Sequence, residues 1–142
     1  MRLDWALLAD SAQVRDGLVF ILGGGIDTIV APQLPAQMNA SVVVRLLLHR
    51  TEAERAHVVE LRILDEDGGQ LAQLQGQVVT QVPLTHPPAW DIPLTAVFGL
   101  HGLAVPRAGL YSAEVLADGA HMRTLNFQVK VATPPAMPPL LH

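Results

Sequence analysis

Three consecutive glycines, Gly23-Gly24-Gly25, follow an apolar run, Leu18–Leu22. Glycines after a strand are where backbone N–H groups can cradle a phosphate. That chemistry needs a helix N-terminus and usually a lysine after the glycines. Here Ile26-Asp27-Thr28-Ile29 follows, an extended pattern carrying an acid, so the glycines read as a structural bulge. Acids gather at two turns, Asp65-Glu66-Asp67 and Asp118. They could surround calcium if both turns fell at the same end of the fold, since calcium takes about six or more oxygens. The spacing matches no calcium loop, and Asp-Gly turns are what hairpins use anyway. Six histidines occur, His49, His57, His86, His101, His121 and His142, with no close helical pair and no cysteine to join them. They read as scattered surface residues, although His49 and His57 flank one turn and could approach across it. An enzyme would need an acid–histidine pair in a cleft, for example His49 or His101 with a carboxylate at a strand end. None of the three serines, Ser11, Ser41 and Ser112, sits in a Gly-x-Ser-x-Gly elbow, and Lys130 falls at an outward strand position. The expectation is a protein without catalysis, cofactor or metal.

The elements that would carry these residues are bounded by composition. Half of the 142 residues are hydrophobic and 4% aromatic, so a core must be built from Val, Leu, Ile and Ala. That length suits one domain. The net charge is −4 with no basic patch, which argues against nucleic acid. Cysteine is absent, which removes disulfides and thiol chemistry and points to a reducing compartment. The apolar stretch before Asp10 is too short for a signal-peptide core, and no run is long enough to span a membrane. The expectation is a soluble cytoplasmic protein.

Taken in order, Asp4–Ala9 reads as a first short strand, and Asp10-Ser11 as a cap or loop. Arg15-Asp16-Gly17 is turn chemistry. Leu18–Leu22 has the length of a fully buried strand. With its glycine break it suits the middle of a β-sandwich, where a strand can bend or cross between sheets. Ala31-Pro32-Gln33-Leu34-Pro35 interrupts regular structure. Met38–Arg50 is the longest strand candidate, apolar on both faces and so expected to be central. His57–Leu64 alternates, with Val59, Leu61 and Ile63 inward. Asp65–Gly69 turns the chain. Gln70–Val82 returns with Gln73, Gln75, Gln77 and Gln81 along one face. That face reads as solvated; a contact surface for another sheet or a sugar is the alternative. Asp91–His101 is a strand whose Pro93, near its start, suggests an edge or a strand beginning. Leu110–Val131 is the cleanest hairpin, turning at Asp118-Gly119. Gly109-Leu110-Tyr111 resembles the start of a strand in immunoglobulin-like sandwiches, where a tyrosine hydroxyl ties down nearby backbone.

The remainder, residues 132–142, is a proline-rich tail that favours polyproline II. It reads either as a frayed end or as an arm docking Met137, Leu140 and Leu141 on a neighbouring subunit. Trp90, in a proline-bounded loop, is the other candidate contact.

The residues Ala9, Asp10, Ala12, Val14 and Gly17, then Ile21, Leu22, Gly23, Gly24, Gly25 and Asp27, together resemble the opening of one uncharacterised bacterial family. Its pattern is Ala-Asp-x-Ala-x-Val, then Gly, then Ile-Leu-Gly-Gly-Gly-x-Asp. Leu64-Asp65-Glu66-Asp67-Gly68 and Pro106-x-x-Gly109-x-Tyr111 are similar as well. The likeness departs where the family has leucine two residues after Gly17 and this chain has Val19. The family is a domain of unknown function, so the resemblance implies a fold and a bacterial origin and no activity.

Together these readings predict an all-β, immunoglobulin-like antiparallel β-sandwich of about seven to nine strands in a single domain, residues 1–131, followed by the tail. The expected role is a non-catalytic protein-interaction or structural module. It would self-associate as a homo-oligomer or bind another protein. The alternative is a small-ligand or carbohydrate-binding sandwich using a loop end near Trp90.

Overall fold

The computed structural model describes residues 1–133. Within them the chain is all-β, with no helix. Eleven strands follow in order: β1 (Arg2–Arg15), β2 (Leu18–Gly24), β3 (Thr28–Ala31), β4 (Ala36–Gln37), β5 (Ser41–Leu48), β6 (His57–Asp65), β7 (Gln70–Val78), β8 (Ile92–Gly99), β9 (Ala104–Val105), β10 (Gly109–Ala117) and β11 (Ala120–Val131). They form a sheet ordered β2-β1-β5-β8, another ordered β3-β11-β10-β6-β7, and a small β4-β9 ribbon. All pairings are antiparallel except β3 with β11, which is parallel.

One core joins the two large sheets. From the first come Leu8, Val42, Val44, Leu46, Leu48, Ile92, Leu94 and Phe98. The second supplies Val59, Leu61, Ile63, Tyr111, Ala113, Val115, Phe127 and Val129. Period-two alternation places these side chains inward, because successive residues of a strand face opposite sides of the sheet. β5 is interior and covered on its outer face too: Val43, of the outward set, is fully buried. β8 is an edge strand and Pro93 is its second residue, so both readings of that proline hold; a missing N–H is harmless there.

Three expectations are corrected. Leu18–Leu22 is not a buried central strand. β2 is the outermost strand of its sheet, and Leu18, Phe20 and Leu22 are exposed. Asp10-Ser11 is neither cap nor loop but the middle of the longest strand, the 14-residue β1. Its first half pairs with β5 and its second half with β2 alone. Polar residues at 10, 11, 13 and 15 are therefore compatible with strand, having no core to face. Finally, β7 ends at Val78, short of Val82.

The glycines do carry the chain from one sheet to the other. Gly24 ends β2 in the first sheet, and Thr28 begins β3 in the second. Gly23 and Gly25 sit at φ +62° and +86°, conformations that cost a residue with a Cβ about 1–2 kcal/mol. Gly25 and Ile26 both donate to the carbonyl of Leu8, at 2.8 and 3.0 Å, which anchors the crossing against β1.

Candidate interaction surface and its neighbours

The exposed β2 edge is the feature that stands out. Leu18, Phe20 and Leu22 share one face and are 64%, 49% and 71% exposed. Beside them on β1 stand Arg15, Gln13 and Ser11, their partners in register. The Arg15 guanidinium lies over the Phe20 ring, 5.9 Å from its centroid, a cation–π contact. No strand of the described residues lies on the other side of β2. Its outward N–H and C=O groups are thus open to another strand. Natural sheets usually protect such edges with charge, proline or a bulge, and Leu18–Leu22 contains no charged residue and no proline. The sequence hid this because a continuous apolar run reads as buried. The available signal was its partner: a tight Arg15-Asp16-Gly17 turn sets the run beside the polar residues 10–15, and such a hairpin is a poor candidate for the core.

Near the glycine crossing, a cleft of about 270 Å³ opens between β1, β3 and β4. Asp10, Thr28, Gln37 and Asn39 supply polar groups to it, and Ile26, Met38 and Val129 supply apolar ones. No aromatic ring lines it.

Trp90, 65% exposed, sits on a turn closed by its own N–H donating to the Pro87 carbonyl at 3.1 Å. It stands edge-on to His86, with centroids 6.1 Å apart. It does not line the cleft just described or two further ones, beside Tyr111 and beside Arg45. Met137, Leu140 and Leu141 lie outside the described residues.

The two acidic turns do not meet. Asp65 and Asp67 lie at the far end of β6, whereas Asp118 lies at its beginning, where its carboxylate accepts from the Val58 N–H at 2.8 Å and its own N–H donates to the Val58 carbonyl at 2.8 Å. The nine residues of β6 hold the two ends about 25 Å apart. Asp65 accepts from the Asp67 and Gly69 N–H groups, closing its own turn. Arg107 pairs with both carboxylates, at 3.6 Å to Asp65 and 3.0 Å to Asp67.

Asp118 instead holds His57, and here the expectation of surface histidines fails. His57 is 1% exposed. Its Nδ1 lies 2.7 Å from Asp118 Oδ2, and its Nε2 lies 2.6 Å from the Glu52 carbonyl. Both partners are acceptors, so the geometry suits an imidazolium donating from each nitrogen. The bond to Asp118 first, then that to the Glu52 carbonyl, raises the His57 pKa above its usual value, against the opposing effect of burial. The Asp118 carboxyl is lowered by the same bond and by the Val58 N–H. With both nitrogens engaged, this acid–histidine pair has none free for a substrate. It fastens the Thr51–Arg55 loop to the turn after β10. Glu52 adds to the tie, accepting from the Met1 ammonium at 2.7 Å and from the His49 N–H at 3.0 Å, and its carboxyl is lowered accordingly. His49 itself bonds Thr51 and does not meet His57.

The glutamine face is partly structural. Gln73 donates to Glu60, which is 9% exposed and also accepts from Arg62 at 3.2 Å. Gln75 and Gln77 are exposed.

At the start of β10 the Tyr111 hydroxyl donates to the Arg107 carbonyl at 2.5 Å, as Gly109-Leu110-Tyr111 predicts. Its ring stacks on Phe127, with centroids 5.6 Å apart.

A strand-only fold with a glycine crossing and a tyrosine tie defines the class of protein. The particular family follows from the sequence: the model of a family of unknown function, DUF6941, matches residues 4–130, and the chain belongs to that family. No curated protein matches the chain.

Proposed function

We propose that this chain is a non-catalytic interaction or structural module, an immunoglobulin-like β-sandwich that associates with itself. The observation that carries the proposal is the unprotected β2 edge with Leu18, Phe20 and Leu22 exposed along it. An exposed apolar edge strand favours pairing with another chain.

The immunoglobulin-like assignment draws support from three features. The first part of the chain is divided between both sheets, with β3 parallel to the last strand, β11. The sheets have the orders β1-β5-β8 and β11-β10-β6-β7 within them. The tyrosine tie falls at the start of the penultimate strand. The absence of cysteine fits a reducing, cytoplasmic setting.

Light scattering over a range of concentrations tests the proposal, on the full chain, on a version ending at Ala132, and on Phe20→Lys. The expected result is a full-length dimer that Phe20→Lys reduces to monomer. A full chain that stays monomeric throughout overturns self-association. Loss of the dimer on truncation alone moves the contact from β2 to Met137, Leu140 and Leu141.

The alternative, a small-ligand binder, is favoured by the cleft with Asp10, Thr28, Gln37 and Asn39. A carbohydrate suits it less, for sugar sites commonly stack a ring and none lines this cleft.

A further inference from the structure

We infer that two copies join along β2 in antiparallel fashion, with Phe20 on the two-fold axis, so that two four-stranded sheets become one sheet of eight. This rests on the self-association proposed above and adds the partner strand, its direction and its register.

Direction follows from charge. Arg15 and Asp16 stand together at the turn end of β2, which is neutral overall, and Asp10 and Asp27 flank its glycine end. Antiparallel pairing sets the two-acid end of each copy against the neutral turn end of the other, within reach of its Arg15, and keeps the two acidic ends apart. Parallel pairing would instead set Asp10 and Asp27 against their own copies, like charge against like, which is unfavourable. A closed two-fold pair also leaves no edge open at β2 for further growth.

Register follows from the side chains. The apolar run is five residues long and centred on Phe20. Only when Phe20 faces Phe20 does every member meet an apolar partner: Leu18 opposite Leu22 twice and Val19 opposite Ile21 twice. Gly17 then faces Gly23, where neither adds bulk. A shift by two residues would set Leu18 opposite Gly24 and leave its side chain unpartnered. Residues directly opposite in an antiparallel pair share a face, so Leu18, Phe20 and Leu22 of both copies form one continuous apolar stripe.

Size sets the strength. From their exposures, the three side chains offer roughly 350 Å² per copy, under half of the ~800 Å² that each partner of a stable pair buries. The new main-chain hydrogen bonds supply the remainder of the contact, and the dimer should therefore depend on concentration.

The chain contains no cysteine, so single cysteines read the geometry directly. Opposite residues of an antiparallel pair have Cα atoms about 4.5–5.5 Å apart, within disulfide reach. Leu18→Cys, Leu22→Cys and Phe20→Cys are oxidised mildly, singly and mixed, with circular dichroism confirming that each retains its strands. Phe20→Cys should cross-link to itself. Leu18→Cys mixed with Leu22→Cys should cross-link to each other well above either alone. A fourth variant, Leu22→Glu, should weaken the dimer about tenfold or more, because its carboxylate would be buried against the facing Leu18. Self-cross-linking of Leu18→Cys in preference to the mixed pair means parallel strands and overturns the inference. A dimer by light scattering with no β2 cross-link overturns the inference and leaves self-association standing. A monomer throughout overturns both.

Discussion

The surroundings of His57 favour its charged form. Its ring is buried between a carboxylate and a carbonyl, and neither acceptor is satisfied by a neutral nitrogen without an N–H. A raised His57 pKa means that its contribution to stability is complete below the unfolded value of about 6.5 and is lost as pH rises through the folded value. A lowered Asp118 pKa means that its contribution is complete above about 3.9 and is lost as the solution becomes more acidic. The pair therefore acts fully between roughly pH 4 and 6.5. Arg55 opposes the charge on the ring only slightly. Thermal melts from pH 5 to 9 should show the wild type losing stability at the alkaline end relative to His57→Leu. Equal pH slopes for the two proteins would refute the charged-latch account. At pH 5.5, His57→Ala should cost about 2–3 kcal/mol in urea unfolding, from lost hydrogen bonds and a buried void. Nothing in the spacing of His57 and Asp118 announces this pair, because 61 residues separate them and only the β6–β10 register brings them together.

At the scale of elements, the glycine crossing and the tyrosine tie each make a separable prediction. A Cβ at Gly23 would stand 2.8 Å from Asp10 Oδ2 and 3.1 Å from its Cβ, while one at Gly25 would meet nothing within 4 Å. Both have positive φ. Gly25→Ala should thus cost about 1 kcal/mol from backbone strain alone, and Gly23→Ala about 2 or more, since the Asp10 side chain must also move. Equal costs in chemical denaturation would show that Asp10 yields freely. Tyr111→Phe keeps the stack on Phe127 and deletes the bond to the Arg107 carbonyl, so a loss of about 1 kcal/mol is expected in the same measurement. These elements were legible from sequence for local reasons: glycines that follow a strand, a tyrosine that follows Gly109, and prolines at an edge. β2 was misread because hydrophobicity alone does not distinguish a central strand from an outer one. That distinction depends on which strands stand beside it, and pairing partners are not written in the run itself.

For the whole molecule, the proposed association would be coupled to stability. If folded chains pair and unfolded chains do not, the melting temperature rises with protein concentration. Differential scanning calorimetry at increasing concentration should show that rise for the wild type and a flat line for Phe20→Lys. A flat line for both would mean that β2 pairing contributes nothing at those concentrations. The all-β class and the core residues of β5, β6 and β10 were readable from the chain because period-two burial marks them, and the family was readable from the Ile21–Gly25 motif. The exposed apolar edge of β2 became visible only once both sheets were assembled and one strand was left outermost.

The parallel pairing of β3 with β11 also bears on how the molecule takes up tension. Four residue pairs, Thr28–Ala31 with Gln128–Val131, are flanked by the Gln128 N–H on the Asp27 carbonyl at 2.9 Å and the Ala132 N–H on the Ala31 carbonyl at 2.7 Å. A pull that reaches β3 at Thr28 and β11 at Val131 draws the two strands lengthwise past each other. Every rung of that short ladder then bears the pull together, where a hairpin opened from its end would surrender its rungs one by one. Stretched in that direction, the protein resists in shear.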